Sequence, residues 1–505
     1  MWTKQDLHEL IALRLQGLQF VVVSNREPYL HRLSGREIEC IQPASGMTAA
    51  LDPIMRAAGG VWIAHGAGNA DRRTVDANNH VAVPPGNSQK YTLRRVWLTK
   101  EQENRYYYGL SNEGLWPLCH IAFTRPVFRP EDWRAYREVN EIFARAVLDE
   151  IGDRPTFVFI QDYHFGLLPR MLKDSGLPNL FVAQFWHIPW PNREVFRAFP
   201  WGEELLDGLL GNDLLGFHIR YHCQNFLDTV DRTLEARIDP ELYEITRRER
   251  TTAVRPFPIS VDFESHSASA SSEQVESEME RWRQELGLGD ELVGIGLDRI
   301  DYTKGIPDRL QAIDRLLDEY PEYRGKLVFI QVGVPSRVDI GRYRSLGYEI
   351  EALADEINRK WSTDSWRPVI LLSRHVGSVR MMALHRLARF CFVSSLHDGM
   401  NLVAKEFVAS RNDDDGVLIL SRFAGAAYEL TDALLVNPFS QEEMAEAVRQ
   451  ALEMPTEERR RRMQRLRGVV SENNIYRWAG KILSTILKFD FPENADVSHF
   501  EAAVH

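Results

Sequence analysis

The amino-acid sequence predicts two doubly wound, Rossmann-like α/β domains that face each other across a cleft. The chain has 505 residues, more than one hydrophobic core normally supports. Short apolar runs rich in β-branched and aromatic residues alternate with helical stretches, which is typical of parallel sheets covered on both faces. Polar side chains follow several of these runs, at the carboxyl ends of the strands where such sheets bind ligands.

Ten apolar runs predict the strands, and the segments between them predict the remaining organisation. The runs are residues 20–24, 157–162, 181–187, 214–218, 292–297, 326–332, 369–373, 390–395, 417–421 and 434–437. Leu and Ile at helical spacing in residues 5–19 predict an amphipathic helix that packs on the domain. The Ser- and Glu-rich residues 264–280 predict a linker or an exposed excursion. We therefore expect domains at residues 1–255 and 256–477.

The composition indicates a cytoplasmic enzyme. A formal net charge of −11 argues against a nucleic-acid-coating protein, although a few clustered arginines can still bind an anionic substrate. No apolar run reaches the roughly 18 residues that span a bilayer, and the first residues lack the pattern of a secretion signal. The four cysteines are scattered, which predicts free thiols in a reducing compartment. We expect neither a nucleic-acid partner nor a membrane.

The most informative motif, residues 297–305, carries Arg299 and Lys304 on a strand-to-helix loop that ends at Gly305. An arginine can bind two phosphate oxygens with its planar fork, while a lysine supplies a point charge. The spacing therefore suits a diphosphate. A solvated, charged loop is the alternative on spacing alone.

A second motif, residues 396–406, combines a tight turn with a helix that starts at Leu402. The free backbone N–H groups of a helix start attract phosphate. Glu406 lies roughly 7 Å further along the helix axis at about 1.5 Å per residue. That separation suits a carboxylate that binds ribose hydroxyls, and a capped helix with an incidental glutamate is the alternative.

Weaker signals come from the N-terminal region and from two glycines. Arg26 follows the first predicted strand, and the small residues of 43–47 precede a predicted helix. Both could meet a phosphate, but a plain turn is the alternative for the loop. Gly294 and Gly296 lie on a predicted strand and do not complete a dinucleotide-binding fingerprint.

A zinc site is the rival chemistry that the sequence raises. His218 and His222 are four residues apart on a predicted helix, with Cys223 beside them. A third ligand at zinc spacing and the general base of the HExxH motif are missing. We therefore predict no metal site.

Nine short motifs occur in the order in which one enzyme family carries them. They are Ser24-Asn25-Arg26, Tyr106-Tyr107, Leu115-Trp116-Pro117, Asp162-Tyr163-His164, His187-Ile188-Pro189, RIDYTKG at 299–305, Ser336-Arg337, DGMNLVAKE at 398–406 and FAGAA at 423–427. On these motifs, the chain from about residue 20 to about residue 490 resembles the trehalose-6-phosphate synthases, including the related glucosylglycerol-phosphate synthases. The resemblance implies the GT-B fold, whose last helix, here about 478–495, crosses back onto the first domain.

The same resemblance implies an activity and assigns residues to it. It implies a retaining glucosyltransferase, independent of metals and cofactors, that transfers glucose from UDP-glucose to glucose 6-phosphate and yields trehalose 6-phosphate. The implied donor-binding residues are Gly46, Arg299, Lys304, Asp398, Met400, Asn401, Leu402, Val403 and Glu406. The implied acceptor-binding residues are Arg26, Tyr107, Trp116, Asp162 and Arg337. The implied catalytic residues are Arg299, Lys304, His187 and Asp398.

Four positions depart from the family pattern. Ser45 and Ser260 replace glycines, Gln161 replaces a histidine, and His397 replaces an arginine. Because the residues assigned to the diphosphate and the ribose are intact, these departures bear on the acceptor more than on the reaction. Glycerol 3-phosphate or another phosphorylated polyol is the alternative acceptor, and a catalytically silent sugar-phosphate sensor is the alternative function. ADP- and GDP-glucose are alternative donors, and a homodimer or homotetramer is expected.

Overall fold

The computed structural model describes residues 1–14, 17–43, 46–86 and 90–487. Contacts within the chain divide it into two compact units. The first unit contains residues 1–259 together with the chain from Ile475, and the second contains residues 260–474. These bounds lie close to the expected domains at 1–255 and 256–477.

The helices and strands alternate along most of the chain. The strands are β1 (Gln19–Arg26), β2 (Leu30–Ser34), β3 (Glu37–Ile41), β4 (Val61–His65), β5 (His80–Val83), β6 (Tyr91–Val96), β7 (Thr156–Gln161), β8 (Leu180–Phe185), β9 (Leu214–Phe217), β10 (Arg237–Asp239), β11 (Glu244–Arg247), β12 (Arg250–Pro256), β13 (Leu292–Arg299), β14 (Leu327–Val334), β15 (Val369–Leu372), β16 (Phe390–Val393), β17 (Val417–Ser421) and β18 (Leu434–Val436). The helices are α1 (Lys4–Arg14), α2 (Gly46–Ala58), α3 (Lys100–Gln102), α4 (Trp116–His120), α5 (Pro130–Ile151), α6 (Leu168–Asp174), α7 (Arg193–Phe196), α8 (Gly202–Leu209), α9 (Arg220–Thr233), α10 (Phe263–Ala270), α11 (Glu273–Leu286), α12 (Ile306–Glu319), α13 (Gly341–Trp361), α14 (Ser378–Leu387), α15 (Leu402–Ser410), α16 (Gln441–Glu453), α17 (Thr456–Glu472) and α18 (Ile475–Leu487). All ten predicted strands are present.

The first unit contains a ten-stranded sheet in the order β10-β11-β12-β9-β8-β7-β1-β4-β6-β5. The seven strands from β12 to β6 run parallel. Antiparallel neighbours extend both edges. Every residue of β7 is buried, as expected for a strand covered on both faces. The prediction of a doubly wound parallel sheet is confirmed for this unit.

The second unit contains a six-stranded sheet, entirely parallel, in the order β15-β14-β13-β16-β17-β18. Numbered within the unit, this order is 3-2-1-4-5-6. The direction of winding reverses between β13 and β16, so their carboxyl ends open a crevice between helices that cover opposite faces. A doubly wound sheet of this kind binds ligands at that reversal point, called the switch point here.

The final described helix, α18, belongs to the first unit. Its Trp478 ring lies against Phe185 and Phe159 of the sheet, with ring centroids 5.1 and 6.0 Å away. The indole N–H donates to the carbonyl of Phe257 at 3.1 Å. Only the part up to Leu487 can be compared with the expected last helix at about 478–495, since residues 488–495 lie outside the described residues.

Residues 264–280 are not a linker, so that alternative of the prediction is wrong, whereas most of these residues are exposed, as the other alternative expected. They belong to α10 and α11, whose starts are capped by side chains of Asp262 and Ser272. Val275 and Trp282, seven residues apart, are buried on one face of α11. Few apolar residues suffice because they are spaced at two helical turns, and some of the serines serve as caps.

Helix α1 is shorter than the predicted helix at 5–19. It buries Leu7, Leu10 and Ile11, and its described part runs to Arg14. Residues 15–16 lie outside the described residues, and Gln19 already belongs to β1. None of the described helices combines the length and apolar character that a transmembrane helix needs.

Candidate active site

The loop after β13 is held by its own side chains. Arg299 ends the strand, and Asp301 follows it with its carboxylate fully buried. One Asp301 oxygen accepts from the backbone N–H and from the hydroxyl of Thr303, at 3.1 and 3.0 Å. Gly305 has a φ of +60°, and a Cβ there would collide with the carbonyl of Ser394. The loop therefore has one well-defined path into α12, as the motif predicted.

Lys304 connects this loop to the loop after β16. Its Nζ lies 2.5 Å from Oδ2 of Asp398, although the two residues are 94 positions apart in the chain. The same oxygen accepts from the Ser395 hydroxyl and from the Asn401 amide, both at 3.2 Å. The two most informative motifs thus meet at the switch point between β13 and β16.

Asn401 also starts the helix that follows. Its Oδ1 accepts from the N–H of Ala404 at 3.1 Å, and its backbone has a φ of +92°. The first N–H groups of α15, those of Leu402 and Val403, have no carbonyl partner one turn earlier in the helix. The neighbouring chain approaches closely, because a Cβ at Gly425 would collide with the carbonyl of Gly399.

Met400 and Glu406 complete this side of the crevice. Met400 is buried, and its carbonyl accepts from the N–H of Ala426 at 2.9 Å. Burial raises the pKa of Glu406 to about 7. Within the described ranges, no side chain or N–H group donates a hydrogen bond to the Glu406 carboxylate. We call Arg299, Lys304, Asp398, Asn401 and Glu406 the crevice cluster.

A second group of predicted residues gathers at the strand ends of the first unit. Arg26, at the end of β1, donates through Nη2 to the hydroxyl of Tyr107 at 2.8 Å. Tyr107 lies on a π-helical segment, Glu103–Leu115, and its ring stacks on His164 with centroids 5.7 Å apart. Trp116 is buried beside this segment, and its ring lies 6.0 Å from that of Tyr163.

Asp162 and His187 lie at the ends of the adjacent strands β7 and β8. Asp162 has a φ of +70°, and its Oδ1 accepts from the backbone N–H groups of Tyr163 and His187 at 3.0 and 3.2 Å. Nε2 of His187 lies 2.9 Å from Oε1 of Gln161. Burial lowers the pKa of His187 to about 3, so its imidazole is neutral at physiological pH. We call Arg26, Tyr107, Asp162, His164 and His187 the aromatic cluster.

Two predicted site residues, Arg337 and Gly46, belong to neither cluster. Arg337 belongs to the second unit, where Nη1 donates to Asp301 at 3.0 Å and to the Tyr343 hydroxyl at 2.7 Å. Burial acts to raise the pKa of Asp301, but the charge of Arg337 helps to hold it below its usual value. Gly46 is the first residue of α2 in the first unit, and the adjoining Ser45 lies outside the described residues.

His218 and His222 do not share a helical face. His218 lies between β9 and α9, since α9 begins only at Arg220. Its Nε2 lies 3.1 Å from the carbonyl oxygen of His187. The predicted helical spacing of these histidines is therefore wrong. Across 1–14, 17–43, 46–86 and 90–487, no group of three or more His, Cys, Asp or Glu residues is arranged to hold a metal ion.

Arg309 was not predicted as a site residue from the sequence, and it is fully buried in α12 behind the loop of Lys304. It shares a helical face with Ile306, Leu310 and Ile313, all of them buried. An arginine on an otherwise apolar face was the available signal, since a buried guanidinium requires partners.

Two Rossmann-like units, with cations and a carboxylate at the switch point of the second, define a nucleotide-sugar-dependent glycosyltransferase of the GT-B class. The family model described as "Glycosyltransferase family 20" matches residues 18–488. The chain belongs to this family.

The relatives and solved structures agree with this assignment. Trehalose-6-phosphate synthase of Mycobacterium marinum is 36% identical over 489 residues, which cover 95% of this chain and 96% of that protein. The bifunctional trehalose-6-phosphate synthase/phosphatase of Thermoproteus tenax is 35% identical over 483 residues, or 93% of this chain. This chain spans 64% of that relative's length. The expectation of a trehalose-phosphate synthase-like glycosyltransferase is confirmed.

Two of the similar structures are complexes with small molecules. One, "Trehalose-6-phosphate from E. coli bound with UDP-2-fluoro glucose", is 31% identical, has a TM-score of 0.83, and covers 94% of this chain and 99% of its own. The other is an alpha,alpha-trehalose-phosphate synthase (UDP-forming) from Burkholderia xenovorans in complex with glucose-6-phosphate. It is 28% identical, has a TM-score of 0.82, and covers 93% of this chain and 100% of its own.

Proposed function

We propose that this chain transfers glucose from UDP-glucose to glucose 6-phosphate with retention of configuration, and yields trehalose 6-phosphate and UDP. The observation that carries the proposal is the meeting of two motifs at the switch point, where Lys304 contacts Asp398 at 2.5 Å. Arg299 lies on the same loop as Lys304, and Glu406 lies on the helix after Asp398. Cations for a diphosphate, a helix start and a carboxylate for ribose are thus assembled in one crevice.

The donor is bound by the crevice cluster. Arg299 and Lys304 hold the diphosphate together with the N–H groups of Leu402 and Val403. Gly46 keeps its predicted role as a donor-binding residue. Glu406 accepts from the ribose hydroxyls, which explains a carboxylate that lacks a hydrogen-bond donor among the described residues. Asp398, Met400 and Asn401 hold the hydroxyls of the donor glucose. His187 keeps its predicted role as a catalytic residue.

The acceptor is bound by Arg26, Tyr107, Trp116, Asp162 and Arg337. An arginine–phosphate pair is strong and directional, which supports Arg26 and Arg337 as acceptor-binding residues. Two further contacts support these roles: the bond from Arg26 to the Tyr107 hydroxyl, and the salt bridge from Arg337 to Asp301, which lies two residues from Arg299. A phosphate near Arg337 would therefore be linked to the loop that holds the donor.

Transfer takes place on one face of the donor sugar. The anomeric hydroxyl of the acceptor attacks the anomeric carbon while the bond to the leaving diphosphate oxygen breaks. The hydroxyl proton passes to that oxygen. Arg299 and Lys304 stabilise the developing charge, so catalysis is mainly positioning and electrostatic stabilisation. We propose that these two cations replace a metal ion in this role.

Location and assembly belong to the same proposal. We infer a cytoplasmic enzyme that forms a homodimer or homotetramer. The four cysteines are free, and three of them are buried, as a reducing compartment favours.

A donor-by-acceptor activity matrix tests the proposal. UDP-, ADP- and GDP-glucose are each paired with glucose 6-phosphate and glycerol 3-phosphate, and the products are separated by mass. We expect trehalose 6-phosphate from UDP-glucose and glucose 6-phosphate, with activity that survives chelation of metals. A product with glycerol 3-phosphate alone would reassign the acceptor, no product from any pair would favour a sugar-phosphate sensor, and a strict metal requirement would contradict the metal-independent mechanism.

A further inference from the structure

Arg309 is a fully buried cation. Among the described residues, its hydrogen bonds go to Ser394, Gln331, Asp298 and the Lys304 carbonyl, and none goes to a side chain proposed to bind a substrate. Its side chain is 0% exposed, on the face of α12 that packs against the sheet. Removing a guanidinium from water is strongly unfavourable unless its donors are satisfied. The residue must therefore make contacts that offset this cost.

Its partners come from three neighbouring strands. Nη2 donates to Asp298 of β13 at 2.7 Å, and Nη1 donates to Gln331 of β14 at 3.0 Å. Nε donates to the hydroxyl of Ser394, directly after β16, at 2.9 Å. The planar fork of Arg309 thus connects the strands on both sides of the switch point, which the flexible, point-like charge of a lysine cannot do.

The same side chain reaches the loop of Lys304. Nη2 of Arg309 lies 3.4 Å from the Lys304 carbonyl oxygen. The hydroxyl of Ser394 lies 3.0 Å from that carbonyl oxygen and 2.8 Å from that of Gly305. Arg309 and Ser394 therefore fix the backbone of Lys304 at its carbonyl. The ammonium group of Lys304 contacts Asp398.

Gly296 provides the space for this guanidinium. A Cβ at position 296 would overlap Nη1 of Arg309 and Oε1 of Gln331. Gly294, two residues earlier on the same strand, has a different neighbour, since a Cβ there would overlap the ring of Phe390. The two glycines that complete no dinucleotide fingerprint thus have separate packing roles.

We propose that Arg309, in the space left by Gly296, is a positioning residue that fixes the backbone of Lys304 for its contact with the donor diphosphate. This inference rests on the proposed function of the crevice cluster. Arg309 itself touches no substrate. It acts because its bonds to β13, β14 and Ser394 determine where the Lys304 carbonyl lies, and small displacements of a charged group at a reacting centre are costly.

The test compares three variants in two backgrounds. Arg309→Lys retains the charge that Asp298 requires but loses the fork, and Gly296→Ala displaces the fork without changing any charge. Gly294→Ala is the matched control, because it disturbs the same strand away from Arg309. Each is made in the wild-type chain and in Lys304→Ala. UDP affinity is measured by calorimetry, transfer by kcat/KM, and stability by thermal unfolding.

We expect Arg309→Lys and Gly296→Ala to weaken UDP binding about tenfold and to lower kcat/KM about 10²-fold, the cost of a displacement near 1 Å. In the Lys304→Ala background, the same changes should cost less than about twofold, since residues that act through one group are not additive. Gly294→Ala should lower the unfolding temperature with an equal effect in both backgrounds. Arg309→Lys and Gly296→Ala are called the arginine-site variants, because both disturb the guanidinium of Arg309. If one of them does not fold, the other decides between the outcomes.

Equal losses of UDP affinity in both backgrounds would overturn the proposal. It would also be overturned if the loss of UDP affinity in each variant, including the Gly294→Ala control, simply followed the fall in unfolding temperature. Unchanged UDP binding in both arginine-site variants would also overturn it. If the wild-type chain binds UDP but forms no product, the proposed function fails, while the calorimetric comparison still decides the role of Arg309. A wild-type chain that binds no UDP would overturn both.

Discussion

The crevice cluster and the aromatic cluster both lie at the carboxyl ends of parallel strands, yet they are built differently. In the crevice cluster, a lysine and a carboxylate form a direct pair, and the buried Arg309 supports the backbone behind them. In the aromatic cluster, Arg26 contacts a tyrosine hydroxyl, the Tyr107 ring stacks on His164, and His187 is neutral. The difference follows from the proposed ligands. A leaving diphosphate needs fixed charge, whereas a sugar is recognised by hydrogen bonds and flat surfaces.

The two clusters also differ in the backbone that carries their side chains. The crevice cluster uses a strand-to-helix loop with a glycine at φ +60°, and its helix start is capped by Asn401, a non-glycine residue at φ +92°. The aromatic cluster uses a π-helical segment, and a non-glycine residue, Asp162, at φ +70°. Such conformations persist only where the surrounding contacts enforce them, and they are enriched at functional sites. Both clusters therefore contain one non-glycine residue at positive φ, and the π-helical segment distinguishes the aromatic cluster.

The largest expected effect comes from removing Arg299. Arg299→Ala should lower kcat/KM by about 10²- to 10³-fold, the usual cost of one group that stabilises developing charge in a transition state. Steady-state kinetics with UDP-glucose and glucose 6-phosphate measure it. Arg315→Ala, an arginine of α12 in an i,i+4 pair with Glu319, is the control and should be near wild type. Near-normal turnover in Arg299→Ala would contradict the proposal that the crevice cluster acts through fixed charge.

Arg26 tests whether the proposed contact with the acceptor is independent of nucleotide binding. Arg26→Ala should raise KM for glucose 6-phosphate by about 10- to 100-fold, because a charge-assisted hydrogen bond contributes roughly 1.5–3 kcal/mol. Affinity for UDP, measured by calorimetry, should be unchanged. Arg137→Ala on α5, half exposed at its side chain, is the control. A loss of UDP affinity in Arg26→Ala would contradict the assignment of Arg26 to the acceptor.

Glu406 predicts a pH dependence of stability in the chain without ligand. Burial raises its pKa from 4.5 to about 7, so the folded chain binds more protons than the unfolded chain between these values. The stabilisation is complete below about pH 4.5 and is lost as the pH rises through 7. Between pH 5 and pH 8, wild type should lose about 2 kcal/mol relative to Glu406→Gln, at roughly 1.4 kcal/mol per pKa unit.

Denaturant unfolding at several pH values measures this difference. Glu319→Gln, at an exposed position of α12, is the matched substitution. Parallel stability curves for wild type and Glu406→Gln would show that the Glu406 carboxyl is well solvated. That result would weaken the argument that this carboxylate is desolvated and ready for ribose hydroxyls.

The smallest expected effect is that of Tyr107→Phe. The change removes the hydroxyl that accepts from Arg26 and leaves the ring that stacks on His164. KM for glucose 6-phosphate should rise only about two- to tenfold, since a single hydrogen bond contributes roughly 0.5–1.5 kcal/mol. Tyr107→Ala, which also removes the ring, should cost more. An equal effect of both substitutions would show that the hydroxyl matters and the stacked surface does not.

Local pattern was sufficient for much of this molecule. Runs of β-branched and aromatic residues predicted ten of the eighteen described strands, because buried parallel strands require near-continuous apolar sequence. The strands β2–β6 and β10–β12 were not predicted. The charged and polar residues of the two motifs after β13 and β16 were correctly placed at strand ends. The same reasoning failed for residues 264–280, where sparse apolar residues still bury one helical face, and for His218, whose position before α9 depends on where that helix begins.

The sequence by itself therefore determined the class of fold, the composition of the crevice cluster and the resemblance to its family. Only the tertiary structure decided which groups meet. The pairing of Lys304 with Asp398 spans 94 residues and requires β13 and β16 to be neighbours, an order that no local pattern specifies. The same holds for the burial of Arg309 and for the contact of Arg337 with Asp301. Periodicity is a local property of the chain, whereas partners across a switch point follow from the order of strands in the sheet.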